Sequence, residues 1–270
     1  MATAKVGKGK TVLITGASSG IGEALATCFA KGGFDLVLVA RNEAKLKLLA
    51  DILSATHDIS AVVASADLSL PGSAEVLAAK MKRDKHEIDV LVNCAGVLEH
   101  GQFVEMPGKR HQEMIDLNIS GLTAMLAYFL PPMVVRGHGR ILNVASIAGF
   151  QPIPSLATYA ATKAYVLSLT ESLSEELKNT GVTVSALCPG ITATNMMSGA
   201  QKNSPGLKLP GFLVGDAEKV AAEGYRACLR GDVIRVPGVL NLATILASRA
   251  TPKWLLRRVS GTVGRATVKK

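Results

Sequence analysis

Short aliphatic runs of three to six residues alternate with longer stretches of helical period along most of this chain. The runs fall at 11–14, 36–40, 61–64, 90–92, 141–144, 182–187 and 233–236, and Val, Ile and Leu occupy successive positions within most of them. Strands apolar on both sides must be covered on both sides, which a parallel sheet packed between helices achieves. Helical periodicity at 21–31, 43–54, 72–83, 112–130, 157–179 and 217–229 supplies the cover. The pattern predicts an α/β fold: a doubly wound, mostly parallel seven-stranded sheet of Rossmann type, with ligands at the carboxyl ends of the strands. It runs from 11 to 236 without a linker or repeat, so a single domain is expected. The uncharged stretch 117–135 contains Asn118, Ser120, Thr123 and Pro131-Pro132, which suits a buried helix rather than a membrane span.

Composition agrees with this picture. At 48% hydrophobic and 19% charged, the 270 residues can bury enough apolar surface to offset ordering entropy, which excludes a disordered chain. The net charge of +9 raises a nucleic-acid or anionic-membrane partner, but its distribution narrows the choice. Residues 1–10 hold three bases and no acid, and 233–270 hold eight bases and no acid, leaving 19 bases against 21 acids between them. The body is therefore close to neutral, and the excess is terminal. With 4% aromatics and no binding motif, nucleic-acid recognition is not expected. Cys28, Cys94, Cys188 and Cys228 form no CxxC pair and read as free thiols of a reducing compartment, hence a cytoplasmic location. The apolar run after Lys10 is too short for a signal peptide, and the five histidines show no metal-ligand spacing, so no metal is expected.

The first strand ends in Thr15-Gly16-Ala17-Ser18-Ser19-Gly20-Ile21-Gly22 and opens into a helix. Such glycines let a backbone turn sharply against a pyrophosphate, while the helix N-terminus offers free N–H groups and a positive dipole. Further along come Asp67, Asn93-Cys94-Ala95-Gly96, Asn118, Ser146, Tyr159-x-x-x-Lys163 and Pro189-Gly190, in that order. Together these motifs resemble the short-chain dehydrogenase/reductase family over residues 15–190, and the strand alternation extends the match to about 236.

The resemblance implies a nicotinamide dinucleotide held by Gly16, Ser18, Ser19, Gly20, Ile21 and Gly22, by Asp67 and Leu68 at the adenine, and by Asn93, Ala95 and Gly96. Pro189 and Gly190 would pass the nicotinamide. Thr192 and Thr194 are candidates for its carboxamide or the phosphates, or else caps for the helix that follows. The second strand ends in uncharged Ala40, where an NAD site usually places a carboxylate, and Arg41 follows. A guanidinium there can grip a 2′-phosphate, so NADP (NADPH) is the expected cofactor; the alternative is a solvated charge in the turn.

Tyr159 and Lys163 are four apart within a helical stretch, so both project from one face. A neighbouring ammonium stabilises a phenolate, which adapts a phenol to the proton transfer that accompanies hydride transfer. The resemblance implies that Tyr159 is the general acid/base, that Lys163 lowers its pKa and binds the nicotinamide ribose, and that Ser146 hydrogen-bonds the substrate oxygen. Asn118 would anchor a relay water, and both Tyr159 and Lys163 would touch the cofactor. Ser146 lacks the Gly-x-Ser-x-Gly elbow of a hydrolase nucleophile.

Segment 195–214, with Met196, Met197, Leu207, Leu209, Phe212 and Leu213, reads as an apolar substrate lid or as simple loop packing. After residue 236 two short helices are expected, the second with Lys253, Arg257 and Arg258 beside Leu255, Leu256 and Val259. Such a helix suits an anionic membrane surface, or it packs with a solvated basic edge. The expected function is NADP-dependent interconversion of a carbonyl and an alcohol on a lipophilic small molecule, by a homodimer or homotetramer. The alternatives are a catalytically silent NADP-binding scaffold and a membrane-peripheral protein using the basic tail.

Overall fold

A computed structural model describes residues 5–192, 215–239, 241–243, 245, 251 and 258. Seven parallel strands form one sheet in the order β3-β2-β1-β4-β5-β6-β7: β1 (Thr11–Thr15), β2 (Asp35–Ala40), β3 (Ala61–Ser65), β4 (Val90–Asn93), β5 (Gly139–Val144), β6 (Val182–Leu187) and β7 (Ile234–Arg235). Strand order reverses between β1 and β4, which opens the crevice where ligands of such sheets bind. The helices are α1 (Gly20–Lys31), α2 (Glu43–His57), α3 (Ser73–Arg83), α4 (Gly108–Ile115), α5 (Leu122–Arg136), α6 (Ala157–Glu176) and α7 (Ala217–Arg230).

Alternation along each strand divides the core in two. On one face Val12, Ile14, Leu36 and Leu38 meet Leu25 and Phe29 of α1, Leu46 and Leu53 of α2, and Val220 of α7. On the other, Leu13, Val37 and Val39 belong to a cluster with Leu77 of α3, Met125 and Phe129 of α5, and Val166 of α6. Each face buries an apolar stripe, the main favourable contribution to folding. Among the described residues, α1, α2 and α7 cover one face of the sheet and α3, α5 and α6 the other, as the alternating pattern requires.

The fourth predicted helix differs most from expectation. It begins at Gly108, not at 112, and continues to Arg136 through Pro131 and Pro132. Both prolines are exposed, as are Ala127 and Tyr128, whose carbonyls lose their helical N–H donors and face solvent. Between α4 and α5 the helix widens into a π turn, Asp116–Gly121, which carries Asn118. This 29-residue helix is long and apolar enough to cross a membrane, yet Leu122, Met125, Leu126, Phe129 and Met133 are buried in the core.

One glycine position governs the start of β6. Gly181 has φ +79°, and a Cβ there would lie 1.8 Å from the Gly137 carbonyl oxygen. Gly181→Ala should therefore lower unfolding free energy by about 1 kcal/mol or more. Urea denaturation would show it as a lower midpoint at unchanged slope; an unchanged midpoint contradicts this packing.

Candidate active site

The glycine turn closes at the reversal point. Gly16 has φ +69°, and a Cβ on it would come within 2.9 Å of the Ala95 backbone; one on Gly22 would come within 2.3 Å of the Gly16 carbonyl. Only glycine lets β1, the 94–96 segment and the first turn of α1 approach this closely. Thr15 fastens the approach: its Oγ accepts hydrogen bonds from Cys94 N–H and Ala95 N–H, both 3.0 Å, and donates to the Val92 carbonyl at 3.3 Å. Thr15 was not among the expected site residues, although it opens the motif. Ser19 precedes α1 in extended conformation, and its side chain makes no capping bond. The first N–H groups of α1 thus retain their capacity for an anion.

A cavity of about 760 Å³ runs from this turn across the sheet end. Gly16, Ser18, Ser19, Gly20, Ile21 and Gly22 line it, as do Arg41, Asp67, Leu68, Ala95 and Gly96. Ser146, Tyr159, Lys163, Pro189, Gly190 and Thr192 complete that set. Asn93 and Asn118 stand apart from the lining. Asn93 is buried, and its Nδ2 donates to Asn143 Oδ1 at 3.0 Å; Asn143 Nδ2 in turn donates to Thr170 Oγ at 3.0 Å. Asn118 Nδ2 donates to the Val97 carbonyl (2.9 Å) and Thr162 Oγ (3.1 Å), while its Oδ1 accepts from Val97 N–H at 2.9 Å. Its side chain therefore ties the strand-β4 exit to α6. A π turn inserted in a long helix often marks a functional position, and here it presents that amide. Thr192 donates to the Gly190 carbonyl at 3.1 Å and bridges to Gly215. Thr194 and the 195–214 segment lie outside the described residues, as does most of the basic tail.

Ser146 caps a short 3-10 helix, Ile147–Phe150, its Oγ accepting from Ala148 N–H at 3.1 Å. This turn lies directly on α6, because a Cβ on Gly149 would sit 2.7 Å from the Lys163 carbonyl. Ser146 and Tyr159 are thereby brought within hydrogen-bonding reach. Tyr159 packs with Met114, Ala148 and Ala160, and Val97, Leu98, Ile153 and Leu156 surround this cluster. That apolar setting pushes its phenol up to about 12, against the opposing hydrogen bond from Ser146. Lys163 Nζ lies 5.7 Å from the Tyr159 ring centre and donates to the Val144 carbonyl at 2.9 Å. Burial brings its ammonium down to about 8, so it still carries its proton at neutral pH. In this geometry burial, rather than the ammonium, has the largest influence on the phenol.

At the other end, Arg41 follows β2 and is 71% exposed, 3.9 Å from the Asp67 carboxylate. Asp67 is held by Ser69, whose N–H and hydroxyl donate to Oδ1 at 3.0 and 2.6 Å. The arrangement provides an anion-binding turn, one exposed guanidinium, and a buried Ser–Tyr–Lys group on a single cavity wall.

A profile of short chain dehydrogenases matches residues 10–205. The chain belongs to the short-chain dehydrogenase/reductase family. It is 38% identical over 197 residues to oxidoreductase UcpA of Escherichia coli K12, covering 73% of this chain and 74% of the relative. Among solved structures, a short-chain dehydrogenase from Sphingobium yanoikuyae in complex with NADPH superposes with a TM-score of 0.78 at 32% identity, covering 90% and 97% of the two chains. A bulky-bulky ketone specific alcohol dehydrogenase from Comamonas testosteroni gives 0.75 at 28% identity, covering 97% and 95%. This dehydrogenase is thus an oxidoreductase of a family whose similar structures have been captured with NADPH and with NAD.

Proposed function

We propose that this dehydrogenase interconverts a carbonyl and an alcohol on a lipophilic small molecule, using NADP(H). The observation that carries the reading is the convergence of Ser146, Tyr159 and Lys163 on the cavity that also contains the glycine turn. The donor set fits a dinucleotide: the free N–H groups at α1 would hold the pyrophosphate, Asp67 and Leu68 would hold the base, and Ala95, Gly96 and Lys163 would hold the nucleoside parts. When bound, the dinucleotide supplies or accepts the hydride. Tyr159 gives its phenolic proton to the substrate oxygen during reduction and takes it back during oxidation. Ser146 donates a hydrogen bond to that oxygen and orients it. Lys163 stabilises the phenolate left on Tyr159, an effect enlarged by the low dielectric around the pair. With Tyr159 pushed up to about 12 and Lys163 brought down to about 8, both groups carry their protons at pH 7. Consumption of NADPH with a panel of hydrophobic ketones tests the reading; NADPH binding without turnover of any of them contradicts it.

NADP preference rests on Arg41 and uncharged Ala40 at the end of β2. Arg41→Ala should reduce the NADPH-over-NADH ratio of kcat/KM by about tenfold, the modest end for a charge-assisted contact because Arg41 is 71% exposed. An unchanged ratio would remove the basis for that preference. The substrate half of the cavity is built by Val97, Leu98, Ile147, Ile153 and Leu156, which supports a lipophilic substrate. The exposed Tyr128 and Val135 on α5 and Tyr165 on α6 support self-association into a homodimer or homotetramer through these helices. The four free cysteines support a reducing, cytoplasmic setting.

A further inference from the structure

We propose that His111 is a positioning residue for the substrate: through the Phe103 carbonyl it holds the loop 98–107 as a wall of the substrate half of the cavity. The inference rests on the carbonyl–alcohol reading above and concerns how the lipophilic body of that substrate is gripped. Val97, Leu98 and His100 line the cavity, and Val97, Leu98 and Met106 also pack against the cluster around Tyr159. His111 itself, on α4, stands behind this wall and is not among the described residues of the lining.

Burial of its own tip does little to hold the loop. Phe103 is 61% exposed and Val104 87% exposed, so their side chains contribute little to fixing the backbone there. Polar ties serve instead. Val97 bonds Asn118 through both its N–H and its carbonyl, and Gly101 N–H donates to the Ser155 carbonyl at 2.9 Å. The Phe103 carbonyl accepts from His111 Nε2 at 3.2 Å, and the imidazole lies against the Phe103 ring, 4.2 Å centre to centre. A carbonyl only accepts, so Nε2 bears the hydrogen, and in the neutral ring Nδ1 accepts from the Thr158 hydroxyl, 2.7 Å away. Thr158 lies in the first turn of α6, next to Tyr159. One imidazole therefore spans from the loop to the turn that carries the phenol, and fixes the spacing between them.

The test measures kcat and KM of the holoenzyme for cyclohexylcyclohexanone and for NADPH. His111→Phe keeps a ring against Phe103 and loses both hydrogen bonds. It should raise the ketone KM by about three- to tenfold, the range of one neutral hydrogen bond. The kcat and the NADPH KM should stay within about twofold of wild type, because the wall grips ground state and transition state alike. Two further variants separate the bonds: glutamine places an amide N–H near the position of Nε2 and keeps the Phe103 bond, whereas asparagine reaches only as far as Nδ1 and keeps the Thr158 bond. His111→Gln should return the ketone KM to near the wild-type value, and His111→Asn should not. Should the Phe variant fail to fold, the Gln and Asn variants decide by the same comparison. A fall in kcat at unchanged ketone KM marks a purely structural histidine and overturns the inference. Equal ketone KM in the Gln and Asn variants, or an NADPH KM that rises in step, overturns it too. Each of these outcomes leaves the proposed function standing, since the wild type still reduces the ketone. A wild type that reduces no ketone overturns both.

Discussion

Tyr159→Phe is expected to lower kcat by about a hundred- to ten-thousandfold, the range for removing a general acid, with NADPH affinity nearly unchanged. The substitution deletes one oxygen from a ring packed with Met114, Ala148 and Ala160, so the apolar contacts and the shape of α6 survive. The oxygen removed is the one beside Ser146, and the variant leaves that hydroxyl without its phenolic partner. Stopped-flow measurement of NADPH oxidation, paired with fluorescence titration of NADPH, separates chemistry from binding. A parallel loss of binding would place Tyr159 in the cofactor cradle and not at the proton transfer.

Lys163→Met is expected to impair turnover and yet stabilise the fold. A buried ammonium brought from 10.5 to about 8 costs the folded state about 3 kcal/mol at pH 7, and loss of the bond to the Val144 carbonyl returns about 1, for a net gain of about 2 kcal/mol. The gain has a definite pH dependence. Below about pH 8 the wild-type lysine is charged in both folded and unfolded chains, and the whole penalty is present. Between about 8 and 10.5 the unfolded chain binds more protons, so wild-type stability rises with pH and the advantage of Met shrinks. Urea unfolding at pH 7 and pH 9.5 reads this directly. Equal stabilisation at both values would mean that the ammonium is not what the fold pays for. A catalytic group held at a cost to stability is a common feature of active sites.

Much of this architecture could be read from the chain. All seven strands lie within two residues of the predicted positions, because buried parallel strands leave short β-branched and aliphatic runs regularly spaced between helical stretches. The glycine turn was equally legible, since Gly16 and Gly22 stand where the backbone admits no Cβ. Tertiary detail was not. Pro131 and Pro132 signal a helix end, but their missing donors belong to a solvent-facing side, where water substitutes at little cost. The π turn at Asp116–Gly121 has no sequence period of its own, and it emerges from packing: a Cβ at Gly121 would strike the Leu68 carbonyl at 2.4 Å. Asn93 was expected at the cofactor, beside Ala95 and Gly96, yet unlike them it does not line the cavity. Its side chain instead belongs to a buried hydrogen-bonded chain that runs through the Asn143 amide to the Thr170 hydroxyl. Tyr159 and Lys163, which the order of motifs along the chain picked out, share one helix; Thr15 and Thr162, whose bonds needed the fold, act through partners distant in sequence.

Direct hydride transfer is the central claim, and isotope transfer tests it most closely. NADPH deuterated at its transferable nicotinamide position should deliver one deuterium to the carbinol carbon of the product alcohol per NADPH consumed, in ordinary water, and the Tyr159→Phe enzyme should do so at a hundredth of the rate or less, about the lower bound for a lost general acid. Product alcohol without deuterium at that carbon, or NADPH consumption with no alcohol formed, would contradict it.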